Sequence, residues 1–149
     1  MALEAFALVV GSISVMPFWL LMIALPRWTL TERLCRQPWI VALPVVLYIL
    51  FLIGAVFNGN IIAMSTVNLL DPASIAALLG RPYLAVGAWL HLLALDLWTG
   101  RWVYLDSRKK GLNAYAVSLI LVLVLGFGPL GLAAYLIWQF ARLRNQPSE

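Results

Sequence analysis

From Leu3 to Leu25 the chain reads LEAFALVVGSISVMPFWLLMIAL, and past Glu4 it carries no charge. That length fits the roughly 20 apolar residues a helix needs to cross the hydrocarbon core of a bilayer. Comparable runs recur over 39–57, 83–104 and 115–138. In lipid every backbone N–H and C=O must be satisfied within the protein, which selects helices for segments of this kind. Composition agrees: 64% of the residues are hydrophobic and 11% charged, against about 45–50% and about 25% for a soluble domain. The reading is an all-α, polytopic membrane protein. Residues 1–149 form one domain of four transmembrane helices, with a short interfacial helix between the second and third.

Pro17 should kink the first span, and Gly11, Ser12 and Ser14 offer small surfaces for helix contact. The apolar run lacks a basic segment ahead of it, so it is expected to persist as a span and not to act as a signal peptide. Pro26 to Pro38 reads as a loop flanked by Trp28 and Trp39 at headgroup level. The second span is interrupted only by Pro44 and Gly54 and is expected to supply packing and lipid-facing surface. In the long connection that follows, Asn58-Gly59-Asn60 is a turn signal. Asp71-Pro72-Ala73-Ser74 then opens a short helix, with Asp71 as N-cap and Pro72 in its first turn, closed by Gly80. Asp106 to Asn113 reads as a second tight loop. The fourth span holds Gly126-Phe127-Gly128-Pro129-Leu130-Gly131, where proline frees a carbonyl and glycine admits close approach. The polar tail from Arg142 to Glu149 is expected to fray.

The net charge of +4 does not form a nucleic-acid patch, because the basic residues cluster in short loops beside apolar runs. Arg27, Arg33, Arg36, Arg108, Lys109 and Lys110 fall on one side of a four-span chain. Arg81, Arg142 and Arg144 fall on the other. The positive-inside rule then puts both basic loops in the cytoplasm and both termini outside, in a plasma, thylakoid or intracytoplasmic membrane. Cys35 is the sole cysteine, so no intrachain disulfide can form.

The third span carries the chemistry. His91 and Asp96 fall near its centre, with Arg101, Tyr104 and Asp106 one to two turns further along. A charged side chain at mid-membrane costs about 2.5–3.5 kcal/mol on insertion scales, so it persists where it pairs or lines a cavity. At 100° per residue, Asp96 lies about 140° from His91, and Arg101 another 140° round, so these groups face several neighbours. Structural readings stand beside functional ones. His91 can be a hydrogen-bonding strut, Arg101 and Asp106 can snorkel, and Trp98 and Trp102 can pack or anchor at the interface. No span contains a lysine for a Schiff base. One histidine cannot give bis-histidine haem ligation, and no cluster has metal-ligand spacing. What remains is a binding or acid/base site facing an apolar ligand.

The pattern His91-x4-Asp96-x3-Gly100-Arg101-Trp102-x-Tyr104-x-Asp106, followed by Gly128-Pro129-Leu130-Gly131, resembles the abscisic-acid-deficient-four-like family, the neoxanthin-synthase-type membrane proteins of plants, algae and photosynthetic bacteria. The resemblance covers the four-span layout and is strongest from Ser65 to Trp138. Plant members are implicated in converting violaxanthin to neoxanthin, an isomerisation in which an epoxide opens and an allene forms. The resemblance thus implies a carotenoid or other apolar polyene as ligand and a reaction with no required cofactor. Such a reaction needs a proton donor and a base. By matching positions, His91, Asp96, Arg101, Tyr104 and Asp106 are the catalytic candidates, with Asp96 as base and Arg101 or Tyr104 as donor or orienter. Trp98, Trp102, Gly128 and Pro129 are the ligand-binding candidates. The segment Gly111 to Tyr115 departs from the polar stretch of the plant pattern, as does the Gly-Arg-Trp form at 100–102. The chain looks closer to the bacterial branch, and its substrate need not be violaxanthin. The alternative is a non-catalytic carotenoid- or chlorophyll-binding subunit of a photosynthetic membrane complex, or a partner of its own copies, with His91 ligating chlorophyll magnesium. A third reading keeps the polar residues as interhelical glue alone.

Overall fold

The computed structural model describes residues 2–58 and 60–144. Among the described residues seven α-helices follow one another: α1 (Ala2–Ala24), α2 (Thr29–Arg36), α3 (Ala42–Phe57), α4 (Asn60–Thr66), α5 (Pro72–Leu79), α6 (Pro82–Lys109) and α7 (Ala114–Arg144). A 3-10 turn, Pro38–Val41, leads into α3, and the described residues contain no strand. The segments 3–24, 38–57 and 114–142 are each long and apolar enough to cross a membrane. Helix α6 reaches that standard only together with α5, across a bend of 95°. The described residues therefore offer three to four spans. Their outer faces are greasy: Phe57, Ile137 and Phe140 are 84%, 69% and 70% exposed, as suits side chains that meet lipid.

The connections are more ordered than their composition suggests. The segment expected as a first loop contains α2, which lacks a side-chain N-cap. It is tied down instead by buried Thr31, whose hydroxyl donates to the Leu25 carbonyl at 2.9 Å, and by buried Cys35. Helix α4 occupies part of the long connection, and Gly59 of the expected turn lies outside the described residues. Helix α5 forms where its cap signal places it, with the Asp71 carboxylate accepting from the Ala73 and Ser74 amides. Helix α6 continues past Tyr104 to Lys109, so the second loop shrinks to 110–113, where Gly111 takes φ +60°. Helix α7 likewise runs beyond Trp138 to Arg144, and residues 145–149 of the tail lie outside the described residues.

The contacts divide the chain into two compact units, one of residues up to 15 with 41–94, the other of 16–40 with residues from 95 on. In the first, Ala7, Phe51, Val86 and Leu90 form a buried cluster bordered by Leu47, Tyr48, Tyr83 and Leu93. Trp89 Nε1 donates to Ser12 Oγ at 3.2 Å, joining α6 to α1 there. In the second, Trp19, Leu97, Val103, Leu121 and Tyr135 are buried. The Ser118 hydroxyl donates to the Ile23 carbonyl at 2.8 Å, joining α7 to α1. Helix α1 continues through Pro17. Helix α7 does not stay regular: Phe127 (φ −145°, ψ 41°) and Gly128 (φ 3°, ψ −76°) leave the helical region just before Pro129. Pro129 has no N–H to give to the carbonyl four residues back, so the helix breaks where sequence and backbone agree that it should.

Candidate functional site

In the first unit, α3, α4, α5 and α6 enclose an apolar cavity of about 340 Å³. Helix α3 supplies Tyr48, Phe51, Leu52 and Ala55, the i, i+3, i+4, i+7 stripe of one helical face. Helix α6 supplies Tyr83, Gly87, Ala88 and His91 at the same kind of spacing. Met64 of α4 and Leu78 and Leu79 of α5 complete the wall. Gly87 and Ala88 are small, which leaves the space open. The polar atoms at this wall are the hydroxyls of Tyr48 and Tyr83 and the imidazole of His91. His91 packs its ring on Tyr48, with centroids 5.2 Å apart and planes at 47°. Tyr83 packs on Phe51 at 4.6 Å. Among the described residues, His91 makes no side-chain hydrogen bond, so its ring nitrogens are available to a ligand.

Asp96 belongs to the second unit. Its half-buried carboxyl group lies against the backbone of Gly128, so closely that a Cβ at that position would collide with Oδ1. The acid thus rests at the break in α7. Among the described residues, Asp96 has no hydrogen-bond or ion-pair partner.

The other candidates diverge. The Arg101 guanidinium donates to the Arg36 carbonyl at 3.0 Å and stands 4.6 Å over the Trp98 ring. Tyr104 is buried and its hydroxyl donates to the Pro26 carbonyl at 3.0 Å, so its one proton is already committed. Asp106 Oδ2 accepts from Tyr135 at 2.7 Å, Gln139 at 2.6 Å and Lys110 at 2.7 Å. Trp102 sets its edge on Tyr135 at 5.7 Å. Gly128 is buried and Pro129 exposed. The structure pairs Asp96 with Gly128 and Trp98 with Arg101, while Arg101, Tyr104 and Asp106 each serve a separate neighbourhood.

Sequence reasoning passed over Tyr48, Glu32, Arg36, Tyr135 and Gln139. A signal existed for Tyr48, a hydroxyl in the middle of an otherwise aliphatic run. At the polar end of the second unit, Glu32 is held below the usual carboxylate range by its hydrogen bond from Arg36. Burial pushes the Cys35 thiol up to about 11, against the opposing charge of Arg101.

Residues 6–135 match the family described as ABA DEFICIENT 4-like. The chain belongs to that family. One ABA DEFICIENT 4-like relative, "Protein ABA DEFICIENT 4, chloroplastic" of Arabidopsis thaliana, is 27% identical over 140 residues, covering 92% of this chain and 61% of the relative. The chain therefore spans about three-fifths of the length of that curated relative. No solved structure matches it. The matched region takes in every ABA DEFICIENT 4-like candidate residue from His91 to Pro129, together with the cavity in the first unit.

Proposed function

We propose that this protein is a four-span integral membrane protein that binds a carotenoid and acts on its end group. The observation that carries the reading is the placement of His91 and Tyr48 side by side on the wall of an otherwise apolar cavity. Its 340 Å³ lies at the low end of the roughly 300–1,000 Å³ usual for small-molecule sites. That is room for the cyclic end of a polyene, with the chain continuing along the lipid-facing flanks. Helix α6, with 28 residues, is about 42 Å long at 1.5 Å per residue and serves as the fourth span. Helix α5 then lies in the interface, and the two basic loops face the cytoplasm.

In the isomerase form of this reading, a donor protonates the epoxide oxygen as its C–O bond breaks, and a base removes a vinylic proton. Atoms and electrons balance without any redox partner. His91 is the group available to exchange a proton with an oxygenated end ring. Asp96, in the second unit and without a partner among the described residues, is a separate candidate that the family pattern carries, tested on its own. Expression in a host that makes epoxy-carotenoids should change the pigment profile, and His91→Ala or Asp96→Asn should abolish the change. An unaltered profile from well-folded wild-type protein overturns catalysis.

A second reading has its own support. A histidine with uncommitted ring nitrogens in an apolar wall suits ligation of chlorophyll magnesium, which makes the protein a pigment-binding subunit. The purified protein should then absorb in the visible without converting pigment. Colourless protein rejects this.

A further inference from the structure

The second unit contains another cavity, of about 540 Å³, and it differs from the first in chemistry. Its lining is Glu32 and Arg36 from α2 with Arg101, Leu105, Arg108 and Lys109 from α6. Four cations face one carboxylate. Glu32 is shared between two of them, at 2.6 Å from Arg36 and 3.5 Å from Arg108. Its single charge therefore leaves an excess of three positive charges around one space. Loop residues that serve only membrane topology can spread into water. Here residues from two helices converge, at the i, i+4, i+7, i+8 positions of α6. Arg101 sits deepest, tied by the Arg36 carbonyl and Trp98, and its Nε is buried with no acceptor. A guanidinium N–H without an acceptor beside several unbalanced cations calls for an anion with several oxygens.

We infer that this cavity binds a phosphate group, carried by an anionic lipid headgroup or by a soluble phosphate ester. Arginine forks match phosphate oxygens in pairs, and the volume exceeds what a bare ion fills. Basic pockets at the ends of membrane helices hold lipid headgroups in this manner. The inference does not rest on the carotenoid reading: it uses neither His91 nor Asp96, and Arg101 enters as an anion ligand and not as the donor that the family resemblance implies.

The test is a binding titration of the full chain in a zwitterionic detergent. The probes are dioctanoyl phosphatidylglycerol, dioctanoyl phosphatidylcholine, inorganic phosphate and glycerol 3-phosphate. Saturable binding of phosphatidylglycerol, at least tenfold tighter than of phosphatidylcholine and weakened by salt, is expected. If the soluble phosphates bind comparably or compete, the ligand is a phosphate ester; if they do not, it is the headgroup. Lys109→Gln, at an exposed wall position, should weaken binding at least threefold, and Arg101→Gln at least tenfold. Arg27→Gln, a basic residue outside the cavity, should leave it unchanged. Absence of saturable binding by phosphatidylglycerol and both soluble phosphates overturns the inference, and so does phosphatidylcholine binding as tight as that of phosphatidylglycerol. So does an Arg27→Gln loss as large as that of Lys109→Gln.

Discussion

Tyr135 and Asp106 are joined by a 2.7 Å hydrogen bond, with the phenol donating to Oδ2. The same oxygen accepts one hydrogen bond from Gln139 Nε2 and another from Lys110 Nζ, and Lys110 also donates to Gln139 Oε1 at 2.7 Å. Four side chains from α6, α7 and the turn joining them thus close a network, and networks of this kind rigidify the elements they join. Asp106→Asn removes the charge that all three donors face and should cost about 1–3 kcal/mol. Tyr135→Phe removes one bond and should cost about 1 kcal/mol. Thermal unfolding in detergent measures both. Pigment conversion by folded Asp106→Asn should persist, which separates this residue from the catalytic candidates.

Gly128→Ala should be disproportionately harmful for so small a change. The new methyl would occupy space held by Asp96 Oδ1, so either the acid or the broken backbone must move. Overpacking of this type costs about 1–3 kcal/mol. The double variant Gly128→Ala with Asp96→Ala should recover much of that loss. Additive losses in a double-mutant cycle would contradict the contact.

Ala88→Leu adds side chain to the wall of the apolar cavity. Crowding by a few methylenes costs about 1–3 kcal/mol, which in binding corresponds to roughly fivefold to a hundredfold. Pigment retained after purification should drop by that factor, while the melting temperature stays close to that of the wild type. Equal retention by the two proteins would remove the cavity from the ligand's path.

Stability should fall at both ends of the pH range, for opposite reasons. The folded state keeps the Cys35 proton up to about 11, above the unfolded thiol at about 8.5. Its contribution is full below the unfolded value and disappears as pH rises towards 11. Glu32 is shifted the other way, by Arg36 first. Its contribution is present above the unfolded value of about 4.3 and disappears as pH falls. Melting temperature against pH should have a shallower alkaline decline in Cys35→Ala and a shallower acid decline in Glu32→Gln. Because Cys35 is also fully buried, a maleimide should label it only on unfolding.

What the sequence made legible follows local rules. Asp71 before a proline and two small residues announces a capped helix, and α5 begins there. Gly128-Pro129 in an apolar run announces a break, and α7 breaks there. Helix α2 escaped because TLTERLCR has no cap and a loop-like charge density; its order comes from the Leu25 carbonyl and the burial of Cys35, which only tertiary packing supplies. The candidate residues were visible as rare polar groups in an apolar helix, but their partners were not. No spacing rule connects Arg101 to a carbonyl 65 residues earlier, or Tyr104 to one 78 residues earlier. The cavity around His91 was hidden for the same reason. The wall that faces His91 comes in part from α3, where Tyr48 looked like one more lipid-facing side chain.

The interruption at Phe127 and Gly128 also governs how α7 behaves mechanically. A helix of 31 residues with an unbroken ladder transmits torque and tilt from end to end. This one is two stiff rods joined by an articulation, so a push on the half that carries Tyr135 need not reorient the half that carries Leu121. Asp96 rests on the joint itself, so its side chain meets α7 where the two rods meet.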